Sequence, residues 1–248
     1  MGITTTEIEK LDKMQDFFWQ VMLRVPESCP RIALRAETRM LGMKHRVWQE
    51  KLLLLKRIKS QKQESLSNKI LEEQRANNWP GLSREVSDIC EQVKIPDIND
   101  SDIAAKEIRQ AIFDHHHSEL MDKITISKKM MSHKEDNFKE VQDYMKGKSV
   151  ENIRVAFRIR CEMVQEIRGN FKDKFRRKGG ESAILCPECP AQETETQSHC
   201  IVCPRWESIR SGLELTKMDD MVVFFQKILA ERMREQTGSK GAAQVSSD

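Results

Sequence analysis

Eighteen residues of this 248-residue chain, Cys186 to Cys203 (CPECPAQETETQSHCIVC), hold four of its seven cysteines and one of its six histidines. No other feature restricts the fold as much, because five potential ligands crowd a stretch where a structural zinc ion takes four. The turn Cys186-Pro-Glu-Cys189, entered from apolar Ala183-Ile184-Leu185, reads as a zinc knuckle at the end of a short strand. Nine residues then separate Cys189 from His199. His199 and Cys203 are spaced i, i+4, so a helix starting near Thr196 puts both on one face. On that helix Cys200 points about 100° away from His199, which leaves it for the local core. The expected ligands are Cys186, Cys189, His199 and Cys203, in the pattern C-x2-C-x9-H-x3-C. Four protein ligands leave no open position, so the site is expected to hold one structural Zn2+. A nucleobase deaminase would need a proline before its Cys-x-x-Cys, and Leu185 stands there instead.

The reading as metal ligands rather than disulfides depends on compartment. The opening MGITTTEIEK has neither the basic nor the apolar region of a secretory signal, so an intracellular location, nucleus or cytoplasm, is expected. No run of 18 apolar residues exists, and Leu52–Leu55 is bounded by Lys51 and Lys56, so no membrane partner is expected. Cys29, Cys90 and Cys161 are scattered and read as small buried or surface residues.

Around the cysteines the chain reads as mainly α. Its 10 glycines and 7 prolines fall at boundaries between helical periods. Thr4-x-x-Glu7 is a capping box, followed by Ile8, Leu11, Gln15, Phe18 and Met22 until Val25-Pro26 stops the helix. Met40, Met43, Val47, Leu54 and Ile58 trace a long basic helix with a bend at Gly42. Ile70 and Leu71 lie on a short helix, Trp79-Pro80-Gly81 marks a turn, and Val86, Ile89 and Val93 share the next face. Ser101 or Asp102 caps a helix reaching about Met121. Residues 153–163 alternate like a strand, yet Ile153, Phe157, Cys161, Val164 and Ile167 also form a helical stripe, and we read helix up to Gly169. Met218, Met221, Val222, Phe225, Ile228, Leu229 and Met233 make a final amphipathic helix. The expected organisation is a multi-helix bundle over 1–148, then a basic helix, a finger of short β-hairpin plus helix, and a C-terminal amphipathic helix over 149–236. A disordered tail is expected at 237–248.

Net charge is only +3, but it is uneven. Residues 31–62 hold ten Lys/Arg against two acids, residues 84–122 four against ten, and residues 151–178 nine against four. Such alternation suggests basic surfaces for a polyanion. Within Asn170–Lys178, Lys172, Lys174, Arg176, Arg177 and Lys178 interleave with Phe171 and Phe175. The cations suit phosphate contacts and Phe175 suits stacking on a base, while both rings suit anchoring the connector to the finger. Arg158 and Arg160 extend the same basic stretch. His115-His116-His117 point three ways on a helix and read as a solvated surface.

Ala156-Phe-Arg-Ile-Arg-Cys-Glu-Met163, Gly169-Asn-Phe-Lys172 and the Cys-Cys-His-Cys set with Glu195-Thr-Gln-Ser-His199 together resemble the C-terminal region of LINE-like (non-long-terminal-repeat) retrotransposon reverse transcriptases. Leu11–Gln15, the Pro30 to Glu37 stretch and Lys51–Leu55 look like the helical, thumb- or connector-like region after the polymerase core of the same proteins. The resemblance covers roughly residues 1–235. It implies a zinc-containing, nucleic-acid-binding region of weak sequence preference and no small-molecule substrate. The family's polymerase needs paired aspartates on a hairpin, and the only Asp-Asp here is Asp219-Asp220, which opens the amphipathic helix. No nuclease pattern follows the finger. No enzyme activity is therefore expected of this stretch, and the rival reading is a protein-interaction module with a purely structural zinc.

Overall fold

Helix caps and left-handed residues divide the chain as its sequence periods suggest, with informative exceptions. The computed structural model describes residues 4–27, 29–127, 133, 136, 138–140, 142–161, 163–164, 186, 189, 193 and 196–244. These residues are mainly helical, and no strand occurs among them. The expected hairpin at 183–191 lies almost wholly outside the described residues; of its positions only Cys186 and Cys189 fall within them.

The first helix, α1 (Thr5–Leu23), starts at the capping box: the Thr4 N–H donates to Glu7 Oε2 at 2.8 Å and the Glu7 N–H to Thr4 Oγ1 at 3.3 Å. Then come α2 (Arg31–Thr38) and α3 (Met43–Lys59). The single bent helix expected here is instead two. Arg39 takes a left-handed conformation (φ 53°) that ends α2, and Gly42, extended, is the N-cap of α3. Leu52 and Leu55 are buried on α3, whereas Leu54, expected on its apolar face, is exposed.

After α4 (Leu66–Ala76) and α5 (Leu82–Val93), a buried asparagine sets the corner. Asn99 donates from Nδ2 to the Ser83 carbonyl at 3.0 Å and accepts from Ser83 Oγ at 2.7 Å. The next helix, α6 (Ala105–Ile126), begins later than Ser101 or Asp102 and ends later than Met121. Its cap is Ala104, whose N–H donates to Glu107 Oε2 at 3.4 Å. Asp102 is drawn away from the capping role by Lys56, with which it pairs.

The strand-or-helix ambiguity resolves as helix: α7 spans Val150–Arg160, with Ser149 Oγ accepting from the Asn152 N–H at 3.2 Å. It stops at Cys161, short of the Gly169 expected from the stripe. Short helices α8 (Gln197–Val202) and α9 (Glu207–Arg210) follow, then α10 (Met218–Gln244). The last helix runs through most of the stretch expected as a disordered tail. Once a long helix exists, each added residue gains a hydrogen bond without a new nucleation cost. No helix among the described residues is long and apolar enough to cross a membrane.

By contacts the chain forms two units. Unit 1 comprises Met1–Phe17 and Arg39–Glu140, and its core is Leu52, Leu55, Val86, Ile89, Ile108 and Ile112 with their neighbours. Unit 2 comprises Phe18–Thr38 and Val141–Asp248. A cut after residue 148 therefore misses one segment. Leu23, Val25, Cys29 and Leu34 give their apolar side chains to the core of unit 2, beside Phe157, Trp206, Phe224 and Phe225.

Candidate metal centre

Thr196 starts the site. Its hydroxyl accepts from the His199 N–H at 3.0 Å and caps α8. The helix then carries His199 on its body and ends at Cys203, so the i, i+4 pair shares a face. Arg210 fixes that end by donating from Nη1 to the Ile201 carbonyl at 2.7 Å and to the Cys203 carbonyl at 3.3 Å. Gln197 Nε2 donates to the Ile159 carbonyl of α7 at 2.8 Å. Cys186 arrives from the other side, its N–H donating to the Glu193 carbonyl at 2.8 Å.

Cys186, His199 and Cys203 are all buried, and their ligand atoms lie within 4.8 Å of one another. The Sγ atoms of Cys186 and Cys203 are 3.8 Å apart, far beyond the roughly 2.05 Å of a disulfide. His199 Nδ1 meets Glu193 Oε2 at 2.8 Å, while its Nε2 is buried with no hydrogen-bond partner. A carboxylate on one ring nitrogen and an unpaired second nitrogen is how a metal-binding histidine is held. These side chains are spaced to hold a metal ion. Burial, with the sulfurs of Cys186 and Cys189, pushes the Cys203 thiol up, opposed by the Arg205 N–H. A cation held among these thiols would reverse that balance and favour the thiolates.

Cys189, the fourth expected ligand, is buried in the same core but stands outside the group whose ligand atoms lie within 4.8 Å of one another. Cys200 is fully buried outside the ligand group, and burial, then the neighbouring Cys203 and Cys186, push its thiol up to about 12. It behaves as a small apolar side chain. Nothing in the sequence singled out Glu193, one of three glutamates between Cys186 and His199.

The residues read as nucleic-acid contacts divide. Lys172, Lys174, Phe175, Arg176, Arg177 and Lys178 lie outside the described residues. Arg158 and Arg160 lie within them and are engaged by the protein itself. Arg158 is buried, with Nε donating to the Arg154 carbonyl at 3.3 Å. Arg160 Nε donates to Glu37 Oε1 at 2.6 Å, and the other oxygen of this fully buried carboxylate accepts from the Tyr144 hydroxyl at 2.8 Å. Asp219 and Asp220 sit in the first turn of α10, where Asp219 pairs with Lys148 at 2.6 Å and Asp220 accepts from the Glu214 N–H at 3.0 Å.

The charge alternation has an internal use in unit 1. Lys51 pairs with Glu85 at 2.7 Å, Lys44 with Glu119 at 3.2 Å, and Lys59 donates to the Ile98 carbonyl at 2.6 Å. Basic α3 thus faces acidic segments of α5 and α6. The histidine run also differs from a solvated surface, because His116 is buried and its Nε2 accepts from the Gly42 N–H at 3.4 Å. His115, with Glu119 and His45 of α3, forms a second group whose ligand atoms lie within 4.8 Å of one another. The i, i+4 spacing of His115 and Glu119 was visible in the sequence; the approach of His45 was not.

No family model, curated protein or solved structure matches the chain.

Proposed function

We propose that Cys186, Cys189, His199 and Cys203 hold one structural zinc ion, and that this zinc-bearing unit presents a basic segment to nucleic acid. The observation that carries the zinc is the spacing of the sulfurs. Two thiolates each about 2.3 Å from a tetrahedral zinc stand about 3.8 Å apart, and Cys186 and Cys203 have that separation. Glu193 orients the ring so that His199 offers Nε2, and Cys189 is the fourth ligand within the same core. With four protein ligands the ion has no place for water or substrate, so its work is to join α8 to Cys186 and Cys189.

The nucleic-acid reading rests on Lys172, Lys174, Arg176, Arg177 and Lys178, which precede the knuckle in sequence, with Phe175 among them. Arg158 and Arg160 leave the contact set because their guanidiniums serve Arg154, Glu151 and Glu37. The role is that of the post-polymerase region of a LINE-like retrotransposon reverse transcriptase, with neither polymerase nor nuclease chemistry in this stretch. Sequence preference is weak, because such a cluster contacts backbone phosphates rather than base edges.

A salt titration of binding to single- and double-stranded nucleic acid tests this. The log–log slope should be about −0.7 to −0.9 per phosphate contact. Replacing the five cations by glutamine should flatten it by several such contacts while metal analysis shows zinc retained. The engagement of Arg160 by Glu37 favours a second reading, a protein-interaction module whose zinc only supports the core. Absent or salt-insensitive binding selects that second reading.

A further inference from the structure

We propose that His45, His115 and Glu119 form a second metal site in unit 1, for a first-row divalent cation of the zinc type. His45 lies in the first turn of α3, and His115 and Glu119 are one turn apart on α6, so the three converge from two packed helices. Metal sites in helical bundles are built from facing helices in this way.

The distances fit. Nitrogen and oxygen ligands about 2.0–2.2 Å from a tetrahedral zinc are separated by roughly 3.3–3.6 Å. His45 Nε2 stands 3.6 Å from Glu119 Oε2, and His115 Nε2 stands 3.3 Å from Glu119 Oε1. The second observation is His45 itself. Its residue is only 3% exposed, and its buried Nε2, turned toward Glu119, has no hydrogen-bond partner. A buried ring nitrogen left unpaired is costly unless something else takes its lone pair. Two histidines and one glutamate are a known zinc set that keeps a fourth position open.

Two neighbours bear on the site. His116 packs edge-on against His45 with ring centroids 4.7 Å apart, but its Nε2 is occupied by the Gly42 N–H, so it supports the ring rather than joining the set. Lys44 Nζ bonds Glu119 Oε1 at 3.2 Å and also lies 4.3 Å from the centre of the Trp48 ring. A bound cation displaces this ammonium from the carboxylate, and the Trp48 face remains as its partner.

The test is metal content of the full chain after equilibrium dialysis against micromolar Zn2+. Wild type should hold two equivalents, and His115→Gln and Glu119→Gln one each. Both substituted side chains are partly exposed, and retention of the helical circular dichroism signal shows that each variant folds; if one does not, the other decides. The second site should weaken by more than the ~10–100-fold that loss of an outer-shell partner costs. With Co2+ the second equivalent should show no thiolate-to-cobalt charge transfer, which separates it from the cysteine site whatever becomes of that one. Saturation of wild type at no equivalent, or at one that carries the thiolate band, overturns the proposal, as does a thiolate-free equivalent that survives both substitutions; one thiolate-free equivalent lost in both variants upholds it and overturns the cysteine site instead.

Discussion

The cores of the two units are built from different materials. In unit 1 aliphatic side chains from α3, α5 and α6 interlock, and Cys90 is the one cysteine of that core. In unit 2 Phe157, Trp206, Phe224 and Phe225 share the core with Cys29, Cys186, Cys189, Cys200 and Cys203. An aliphatic core keeps its stability without any ligand, because its driving force is the removal of apolar surface from water. A core that draws on a bound metal, as we propose for part of unit 2, does not. Where its cysteines hold the proposed zinc, the part of the core around α8 takes its stability from the ion, since apparent zinc-binding energies reach about 10–16 kcal/mol in small modules. The polar groups differ in the same way. Unit 1 places ion pairs such as Lys51–Glu85 at its surface, whereas unit 2 buries Glu37 completely between Arg160 and Tyr144.

The largest expected effect is therefore on metal removal. A strong chelator, or Cys203→Ala, should abolish hydrogen-exchange protection in α8 and weaken it across α7 and α10. Protection in α3, α5 and α6 should persist, even if the His45 site also empties, since that site lies outside the aliphatic cluster. Simultaneous loss in both sets of helices would erase the distinction between the units. Cys200→Ala should keep the metal, and its loss there would overturn the choice of ligands.

Next in size is the buried carboxylate. Glu37→Ala takes the buried carboxylate away from the Arg160 guanidinium and the Tyr144 hydroxyl, and breaking a buried pair from one side costs about 3–5 kcal/mol. Glu85→Ala, which breaks the exposed Lys51 pair, should cost no more than ~1 kcal/mol. Denaturant unfolding of the two variants measures the contrast. Equal losses would mean that Glu37 is better hydrated than its geometry implies.

How much of this was legible in the sequence follows the range of the interaction. The Thr4–Glu7 box, the Val86, Ile89 and Val93 face, the α8 start at Thr196 and the approach of His199 and Cys203 on one helix face all depend on neighbours a few residues away. Periodicity and side-chain chemistry suffice for these. The break between α2 and α3 depends on one left-handed arginine, Arg39, a conformation that no apolar pattern records. Asp102 looked like a cap because its attraction to Lys56, 46 residues away, is invisible locally. Glu37, His45 and Glu193 were missed for a related reason. A buried carboxylate on an apolar helix, a histidine in a basic helix and one glutamate among several acquire meaning only from what the fold brings to them. The same holds for charge: the basic 31–62 stretch suggested an external polyanion, and part of it meets acids of its own unit.

The smallest effect gives the strictest comparison, because both units contain the same device. Ser65 caps α4 in unit 1 and Ser149 caps α7 in unit 2, each hydroxyl accepting from an asparagine N–H three residues on, at 3.3 and 3.2 Å. Ser65→Ala and Ser149→Ala should each cost about 1 kcal/mol, the usual worth of such a cap. With metal bound, the two losses should be equal within error by denaturant unfolding or local hydrogen exchange. On chelation they should part. Ser65→Ala should keep its cost, since α4 belongs to the aliphatic unit. Ser149→Ala should lose its own, because a cap contributes nothing to a helix whose supporting core has already opened. If the Ser149 cost survives metal removal undiminished, α7 holds without the cysteine cluster, and the dependence of unit 2 on metal is confined to α8.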